Sequence, residues 1–219
     1  MKMNKHDFAA SFDSLKASLS EDDFGGYPKD YQRIDQKTLP VIDALEIFRD
    51  SRVLEIGSNF GMYSLLMSEY AEKVFALEID DNIFEVGLKW RKFFEERGLS
   101  FDNLEQIRGA AREAVRIDYN ALLLTLVLYH LKDDEIDLLV KDAKQKCEKI
   151  IVQCRPGRAA ALQRGSFKGH VSKNQRFDGL YDIAGNIKFL EAIGMKTISI
   201  TVSEKMLGSE VFPVLVGSR

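Results

Sequence analysis

An acid and three residues that favour unusual backbone angles follow one another in VLEIGSNFG, residues 53–61. Glu55 lies within an apolar run that predicts a β-strand, and Gly57, Asn59 and Gly61 alternate after it. Glycine readily takes positive φ angles, and Asn does so more often than most residues. The spacing therefore predicts a tight turn from a strand into a helix, which lets a ligand come close to the backbone.

Two common nucleotide-binding motifs do not fit this turn. The dinucleotide motif needs the spacing G-x-G-x-x-G, whereas here Asn59 stands at the second glycine and Met62 at the third. A P-loop needs a following Gly-Lys-Ser or Gly-Lys-Thr, which this stretch lacks. What remains is E-x-G-x-N-x-G.

A second acid follows at the tip of the next predicted strand. Glu78 ends VFALE, residues 74–78, a little over twenty residues after Gly57. An acid in that position can accept hydrogen bonds from both hydroxyls of a ribose. The alternative is that Glu78 and Asp80 only begin the following helix.

Together the two motifs resemble those of the class I S-adenosylmethionine-dependent methyltransferases, in which the glycine turn runs beside the methionine part of the cofactor. Asn59 replaces the commoner Gly, but it tolerates the same backbone. The resemblance implies S-adenosylmethionine as the cofactor, with Glu55 supporting the turn, Glu78 on the ribose and Ile79 beside the adenine. The cofactor-binding residues that it implies are Glu55, Gly57, Ser58, Asn59, Gly61, Glu78, Ile79, Ala110, Thr125 and Leu126.

The later motifs of this family match less well. Ala110 stands where the family usually offers an acid to the adenine amino group, so that contact would fall to the backbone or be lost. In YNALLLTLVLYHL, residues 119–131, Asn120 stands where Asp is more usual, and Thr125 and Leu126 would lie next to the cofactor. The ribosomal RNA adenine dimethyltransferases have an Asn/Asp-Pro-Pro-aromatic turn here, which this chain lacks; this argues against an adenine-N6 enzyme.

Short apolar runs alternate with helical periodicity from residue 52 onward, which is typical of βα units. We predict an α/β fold: a Rossmann-like, doubly wound, mostly parallel seven-stranded sheet with an antiparallel last strand and an N-terminal helical cap. The predicted strands are 52–57, 73–79, 104–109, 120–129, 149–154, 196–202 and 211–217, and the apolar character of 120–129 predicts a central parallel strand. Pro213 predicts an edge position or a bulge for the last of them.

The N-terminal part of the chain predicts helices at about 6–19 and 39–49. Residues 1–50 are too few for a core of their own, so we interpret them as a cap. Residues 51–219 then form the S-adenosylmethionine-binding domain, as a single globular unit.

The acceptor should bind beyond the carboxyl ends of the strands. There we predict His130 and Arg155 as catalytic residues and Tyr129 as a substrate contact. A neutral imidazole suits a general base, although in relatives with a similar YHL run this histidine is often structural. For Tyr129, packing or contact with the cofactor edge fits better than acid–base chemistry.

Residues 155–176 are basic throughout and contain no acid. This segment predicts an anionic acceptor, with Arg158, Lys168 and His170 as substrate contacts. It would also attract RNA, although Phe167 is its only aromatic residue, or it is simply a solvated loop. Tyr31 and Arg33 are further predicted substrate contacts, from a segment that would fold over the cofactor.

Composition limits the remaining possibilities. The chain has 219 residues and a net charge of −3, which suits one domain and does not suit general electrostatic binding of nucleic acid. No apolar run is long enough to span a membrane, and MKMNKHDFAA has no signal-like apolar stretch, so we expect a cytoplasmic protein. Two cysteines and three histidines, none grouped, predict no metal site and reduced core thiols.

The sequence thus predicts a methyltransferase that acts on oxygen or nitrogen of an anionic small molecule or glycan. Two alternatives stay open: a tRNA or rRNA methyltransferase that uses the basic segment, and a catalytically silent partner protein that binds S-adenosylmethionine. The sequence leaves the oligomeric state open.

Overall fold

A computed structural model describes residue 17 and residues 38–155, 177, 180–201 and 212–219. Seven strands form one sheet in the order β3-β2-β1-β4-β5-β7-β6. β7 is antiparallel to β5 and β6, and the other neighbouring pairs are parallel. The strands are β1 Arg52–Ile56, β2 Lys73–Glu78, β3 Leu104–Arg108, β4 Ala121–Thr125, β5 Lys149–Gln153, β6 Thr197–Thr201 and β7 Val214–Ser218. The predicted fold class is confirmed.

Helices cover both faces of the sheet, as the doubly wound prediction requires. The α-helices are α1 Leu39–Ala44, α2 Met62–Met67, α3 Asp81–Glu95, α4 Asp133–Lys146 and α5 Ile183–Ala192. Within the described ranges, three short 3₁₀ segments accompany them: Leu45–Phe48, Ala111–Arg116 and Leu128–His130. Buried residues of α1, α2 and α3 form the core of one face, and those of α4 and α5 form the core of the other.

The apolar spacing of α3 shows why its residues form a helix on this sheet. Ile83, Val86, Trp90 and Phe94 recur at steps of three and four and are all buried. Asp80 caps the helix N-terminus by accepting from the N–H groups two and three residues on.

The described part of the predicted N-terminal cap belongs to the core of the sheet. Val41, Ile42, Leu45 and Phe48 are buried in the same cluster as residues of α2 and α3. The predicted helix at 6–19 lies outside the described residues, apart from Ala17, which is helical. The division at residue 50 stays a prediction.

β4 is shorter than its apolar run. The strand ends at Thr125, and Leu126 then takes a φ of +55° while its N–H donates to the Gln153 carbonyl at 3.3 Å. Leu128 and Tyr129, each 2% exposed, are buried from a 3₁₀ turn and not from a strand. Residues 126–129 were therefore predicted as strand because their sequence is apolar, and it is apolar because they are buried.

The edge position expected from Pro213 is wrong, because β7 lies between β5 and β6 and β6 is the edge strand. Pairing of β7 with both neighbours begins at Val214. Pro213 precedes it, and its carbonyl accepts from the Cys154 N–H at 2.8 Å. The proline therefore contributes an acceptor, and its missing N–H breaks no strand pairing.

The sheet order changes direction between β1 and β4, which creates a topological switch point. Ligands of open α/β sheets bind in the crevice outside the carboxyl ends of the strands at such a point. Register places Glu55 of β1 level with Ala76 of β2 and Leu123 of β4, one residue before β1 ends at Ile56. The fold thus brings the glycine turn to this crevice.

Candidate functional site

The turn after β1 has the predicted backbone. Gly57, Asn59 and Gly61 have φ angles of +71°, +53° and +82°. Asn59 stabilises its own conformation, because its Oδ1 accepts from the Phe60 N–H at 2.8 Å. The alternating Gly and Asn residues therefore did indicate local geometry, since each occupies a conformation that most side chains disfavour.

Every backbone N–H of this turn has an acceptor inside the protein. The five residues are Gly57, Ser58, Asn59, Phe60 and Gly61. Two of the N–H groups share the Leu77 carbonyl of β2, at 2.8 and 3.0 Å, and a third donates to the Glu78 carboxylate at 2.8 Å. The turn therefore keeps no free amide for a phosphate, which agrees with the failure of both nucleotide motifs.

Glu78 joins the end of β2 to the turn. Its Oε2 accepts from the Asn59 N–H at 2.8 Å, and its Oε1 accepts from the Ile79 and Asp80 N–H groups at 2.9 Å each. A carboxylate offers about four acceptor positions, so about one remains, on Oε2. The reading in which these acids only begin a helix therefore applies to Asp80 alone.

Glu55 is fully buried beneath the turn. Its Oε2 accepts from the hydroxyl of Ser64 on α2, and its Oε1 is buried with no hydrogen-bond partner among the described residues. Burial raises the pKa of Glu55 to about 8; the Ser64 hydroxyl opposes this shift and the Glu78 charge adds to it. Sequence reasoning missed Ser64, although a serine in a six-residue helix that is otherwise apolar was a usable signal.

Val127 lies directly across the crevice from the turn. A Cβ atom added to Gly57 would lie 2.8 Å from Cγ2 of Val127. The left-handed residue Leu126 sets this approach, since it redirects the chain between β4 and Val127. Thr125 and Leu126 thus lie at the switch point, and their contact with the cofactor stays a prediction. Sequence reasoning missed Val127.

Two apolar residues, Ile79 and Ala110, follow the ends of β2 and β3, next to the exposed ion pair of Arg108 with Asp81. Ile79 is 67% exposed, the largest exposure among the large apolar side chains of the described residues. The Gly109 N–H donates to the Glu78 carbonyl at 2.8 Å, which fixes Ala110 close to the tip of β2. Neither Ile79 nor Ala110 has a side-chain donor or acceptor, so this side can offer a ligand apolar surface and backbone groups.

Tyr181 contacts two of the three predicted residues that follow β4 and β5, Tyr129 and Arg155. Its ring stacks on Tyr129 with the centroids 5.0 Å apart, and the exposed His130 lies 4.4 Å from Tyr129, centroid to centroid. The Arg155 N–H donates to the Tyr181 carbonyl at 3.0 Å, and the Arg155 guanidinium lies 5.6 Å from the ring centroid of Phe212. Sequence reasoning missed Tyr181 and Phe212, which come from distant segments.

Tyr129 is only 2% exposed, which is a packing position. The Tyr181 hydroxyl is buried and has no hydrogen-bond partner among the described residues.

Five predicted substrate contacts lie outside the described residues and stay predictions: Tyr31, Arg33, Arg158, Lys168 and His170. Within the described ranges, no cluster of three or more His, Cys, Asp and Glu side chains could hold a metal ion. Cys147 and Cys154 are free and buried, and burial raises the pKa of each thiol to about 12. No helix in the described part of the chain is long and apolar enough to cross a membrane.

This sheet order, with its antiparallel β7 and its crevice between β1 and β4, is the fold of the class I S-adenosylmethionine-dependent methyltransferases. No family model and no curated protein matches the sequence.

Solved structures with the same fold have little sequence identity to this chain. Magnesium protoporphyrin IX methyltransferase from Synechocystis PCC 6803, with bound SAH (S-adenosylhomocysteine), is 14% identical; the match covers 84% of this chain and 82% of that one, with a TM-score of 0.60. The methyltransferase domain of bacterial CtHen1 is 13% identical over 84% of this chain and 98% of its own, with a TM-score of 0.59. The N-terminal domain of EvdMO1 with SAH bound is 18% identical over 84% and 82%, with a TM-score of 0.56.

Proposed function

We propose that this protein is an S-adenosylmethionine-dependent methyltransferase. The observation that carries the proposal is the pairing of Glu78 with the turn at the switch point, where Oε2 binds the Asn59 N–H and retains about one acceptor position. A turn without free amides suits an amino-acid end better than a pyrophosphate, and a carboxylate at the tip of β2 suits a ribose. Two of the structures with this fold contain bound SAH, which adds support.

The residues around the crevice fit the parts of this cofactor. A Cβ on Gly57 would meet Val127 and one on Gly61 would lie 3.6 Å from Nε2 of Gln106, so the proposal assigns the amino-acid end to the backbone of this turn, which Glu55 supports by holding Ser64 of α2. The remaining acceptor position of Glu78 receives one ribose hydroxyl; a second would have to displace a backbone N–H. The exposed side chain of Ile79 covers the adenine, and the backbone beside Ala110 takes the place of the missing acid.

S-adenosylmethionine supplies an already activated methyl group, so the protein has to orient the acceptor and, where necessary, remove its proton. His130 is the general base in this proposal, because it is exposed in the 3₁₀ turn that follows β4. Arg155 binds an anionic group of the acceptor from the end of β5. These two side chains and the basic sequence 155–176 favour an acceptor oxygen or nitrogen on an anionic small molecule or glycan.

Calorimetric titration with S-adenosylmethionine and S-adenosylhomocysteine tests the proposal, with NAD as the negative ligand. We expect both sulfur nucleosides to bind and Glu78→Ala to weaken them at least about tenfold, because a ribose contact is lost and the turn loses its anchor. Glu85→Ala is the matched control, since Glu85 is an exposed acid on α3 and its removal changes the net charge equally.

The outcomes separate the alternatives. No binding of either sulfur nucleoside contradicts the proposal. Binding that stays the same in Glu78→Ala contradicts the assigned role of Glu78. Once binding is established, methyl transfer from labelled S-adenosylmethionine to tRNA that weakens steeply with salt would favour the RNA alternative. Binding without transfer to any acceptor class would favour the silent partner protein.

A further inference from the structure

β6 is an exposed edge strand that contains no charged residue. It pairs with β7 on one side, and no described strand lies on its other side. Four of its five residues are exposed, including Ile200 at 46%, and Ile198 packs against the core on the side of α4 and α5. Natural proteins usually protect such an edge with charged side chains or proline, and the sequence TISIT has neither.

The opposite edge of the same sheet is protected in this way. β3 carries Glu105 and Arg108, both exposed. Glu105 forms an ion pair with Lys73 at 3.4 Å, and Arg108 forms one with Asp81. Another strand that approached β3 would have to displace or bury these charges. Of the two edges, β6 is therefore the one that can accept a further strand.

The pairing of β7 shows which backbone groups of β6 point outward. The Arg219 N–H donates to the Glu148 carbonyl at 3.1 Å, so the odd-numbered residues of β7 direct their backbone groups to β5 and the even-numbered ones direct theirs to β6. Register pairs these even-numbered residues with the odd-numbered residues of β6. The N–H and C=O groups of Ile198 and Ile200 are therefore left on the open side of β6.

The sequence of β6 is complementary to itself. TISIT reads the same in both directions about Ser199. In an antiparallel pair of two such strands centred on Ser199, each Ile198 lies opposite an Ile200 and each Thr197 lies opposite a Thr201. The outward backbone groups belong to Ile198 and Ile200, so the same register also pairs every outward N–H with a C=O. Opposed β-branched residues and opposed hydroxyl residues are favourable cross-strand pairs.

We propose that β6 pairs with β6 of a second copy of this chain, antiparallel and in register at Ser199, so that two sheets become one continuous sheet. A single strand pair is a small interface, so the association is reversible and depends on concentration. β5 and β7 separate β6 from the crevice between β1 and β4, which stays open in both copies. Since the two strands run in opposite directions, the two crevices face opposite ends of the joined sheet.

Sedimentation equilibrium of the whole chain at concentrations up to about 100 μM measures the association. Ser199→Lys places two like charges opposite each other at the centre of the pair, so we expect it to weaken dimerisation at least about tenfold. Ser199→Glu should do the same, and an equimolar mixture of the two variants should restore the dimer. Ser100→Lys is the matched control, because Ser100 is an exposed serine in the segment before β3.

Cysteine crosslinking tests the register and serves as the test if the lysine variant does not fold. Both native cysteines are buried. Opposed residues of a pair without mutual hydrogen bonds have Cα atoms about 4.5 Å apart, so Ser199→Cys should form a disulfide-linked dimer under mild oxidation. Thr197→Cys is the matched control on the same strand. Its thiol would lie about 14 Å along the strand from its own copy, which is too far for a disulfide.

Three results would overturn the inference. The first is a wild-type chain that stays monomeric at every concentration. The second is a dimer that Ser199→Lys leaves unchanged, since its contact must then lie elsewhere. The third is crosslinking of Thr197→Cys as complete as that of Ser199→Cys, since the two strands would then not be in this register. None of these measurements involves S-adenosylmethionine, so their outcome leaves the proposed function unaffected.

Discussion

Oε2 of Glu78 lies 2.8 Å from the backbone nitrogen of Asn59, so one carboxylate at the tip of β2 anchors the turn that follows β1. The two residues are 19 positions apart in the chain and meet because β1 and β2 are parallel neighbours. A side chain that would contact the cofactor therefore also shapes the surface beside it. Loss of Glu78 should change both, and a nearby acid without this contact should change neither.

Asp80 provides that comparison. Oδ1 of Asp80 accepts from the N–H groups of Asn82 and Ile83 and so caps the N-terminus of α3. Because Asp80→Ala removes this cap, we expect it to lower the free energy of unfolding by about 1 kcal/mol. Its affinity for S-adenosylhomocysteine should stay within about twofold of the wild type, a change that calorimetry resolves. Urea unfolding and calorimetry on the same preparations measure both quantities. Equal losses of affinity in Asp80→Ala and Glu78→Ala would show that both acids act only through the start of the helix.

Gly57 is sensitive to substitution for two separable reasons. Gly57→Ala places a side chain at a φ of +71° and brings its Cβ to 2.8 Å from Val127. The backbone angle alone costs about 1–2 kcal/mol, and the close contact adds to it, so we expect a loss of about 2–4 kcal/mol in urea unfolding.

Gly98→Ala isolates the cost of the backbone angle. Gly98 has a φ of +84°, and a Cβ added there meets no atom within 4 Å. We expect the smaller loss in this variant, and we expect Val127→Ala to recover part of the larger loss in Gly57→Ala. If Gly57→Ala and Gly98→Ala are equally destabilised, then Val127 does not limit the space beside Gly57.

Local and long-range features differed in how well the sequence predicted them. Gly57, Asn59 and Gly61 indicated the turn because a positive φ is a preference of single residues. The acceptors of the turn amides were not predictable, because the Leu77 carbonyl and the Glu78 carboxylate reach them only through the parallel pairing of β1 with β2. The same holds for Val127, which meets Gly57 only when β1 and β4 are neighbours.

Two errors in the predicted strands have a common cause. An apolar stretch of sequence indicates that its residues are buried. Both the end of β4 and the 3₁₀ turn that contains Leu128 are buried, so burial does not show where the strand ends. Pro213 has no backbone N–H, which would prevent strand pairing only within the paired part of β7. That part begins one residue later, at Val214. In both cases the residue type was read correctly, while its position relative to the end of the strand was not available from sequence.

The hydroxyls of two buried tyrosines should respond oppositely to removal. The Tyr181 hydroxyl has no hydrogen-bond partner among the described residues, whereas the Tyr119 hydroxyl donates to Asp142 at 2.8 Å. Removing a buried unpaired group avoids its desolvation cost, so Tyr181→Phe should be neutral or stabilising by up to about 1–2 kcal/mol. Tyr119→Phe loses a hydrogen bond to a charged group and should be destabilised by about 1.5–3 kcal/mol. Urea unfolding of both variants tests this, and a clear loss of stability in Tyr181→Phe would show that its hydroxyl has a structural partner.

Glu55 also makes a prediction about stability that needs no cofactor. Burial raises its pKa to about 8 from the 4.5 of an exposed carboxyl, so between these values the folded protein binds a proton that the unfolded chain has lost. The unfolding free energy contributed by this residue is therefore greatest below about pH 4.5 and falls as the pH rises toward 8. Glu55→Gln removes this dependence while keeping the carbonyl that accepts from Ser64, so its stability relative to the wild type should increase by about 4 kcal/mol from about pH 5 to pH 8.

Urea unfolding of both proteins at the two pH values measures the difference, and Glu85→Gln, at an exposed position on α3, controls for the loss of one charge. A stability difference that does not change with pH would show that Glu55 is ionised in the folded protein.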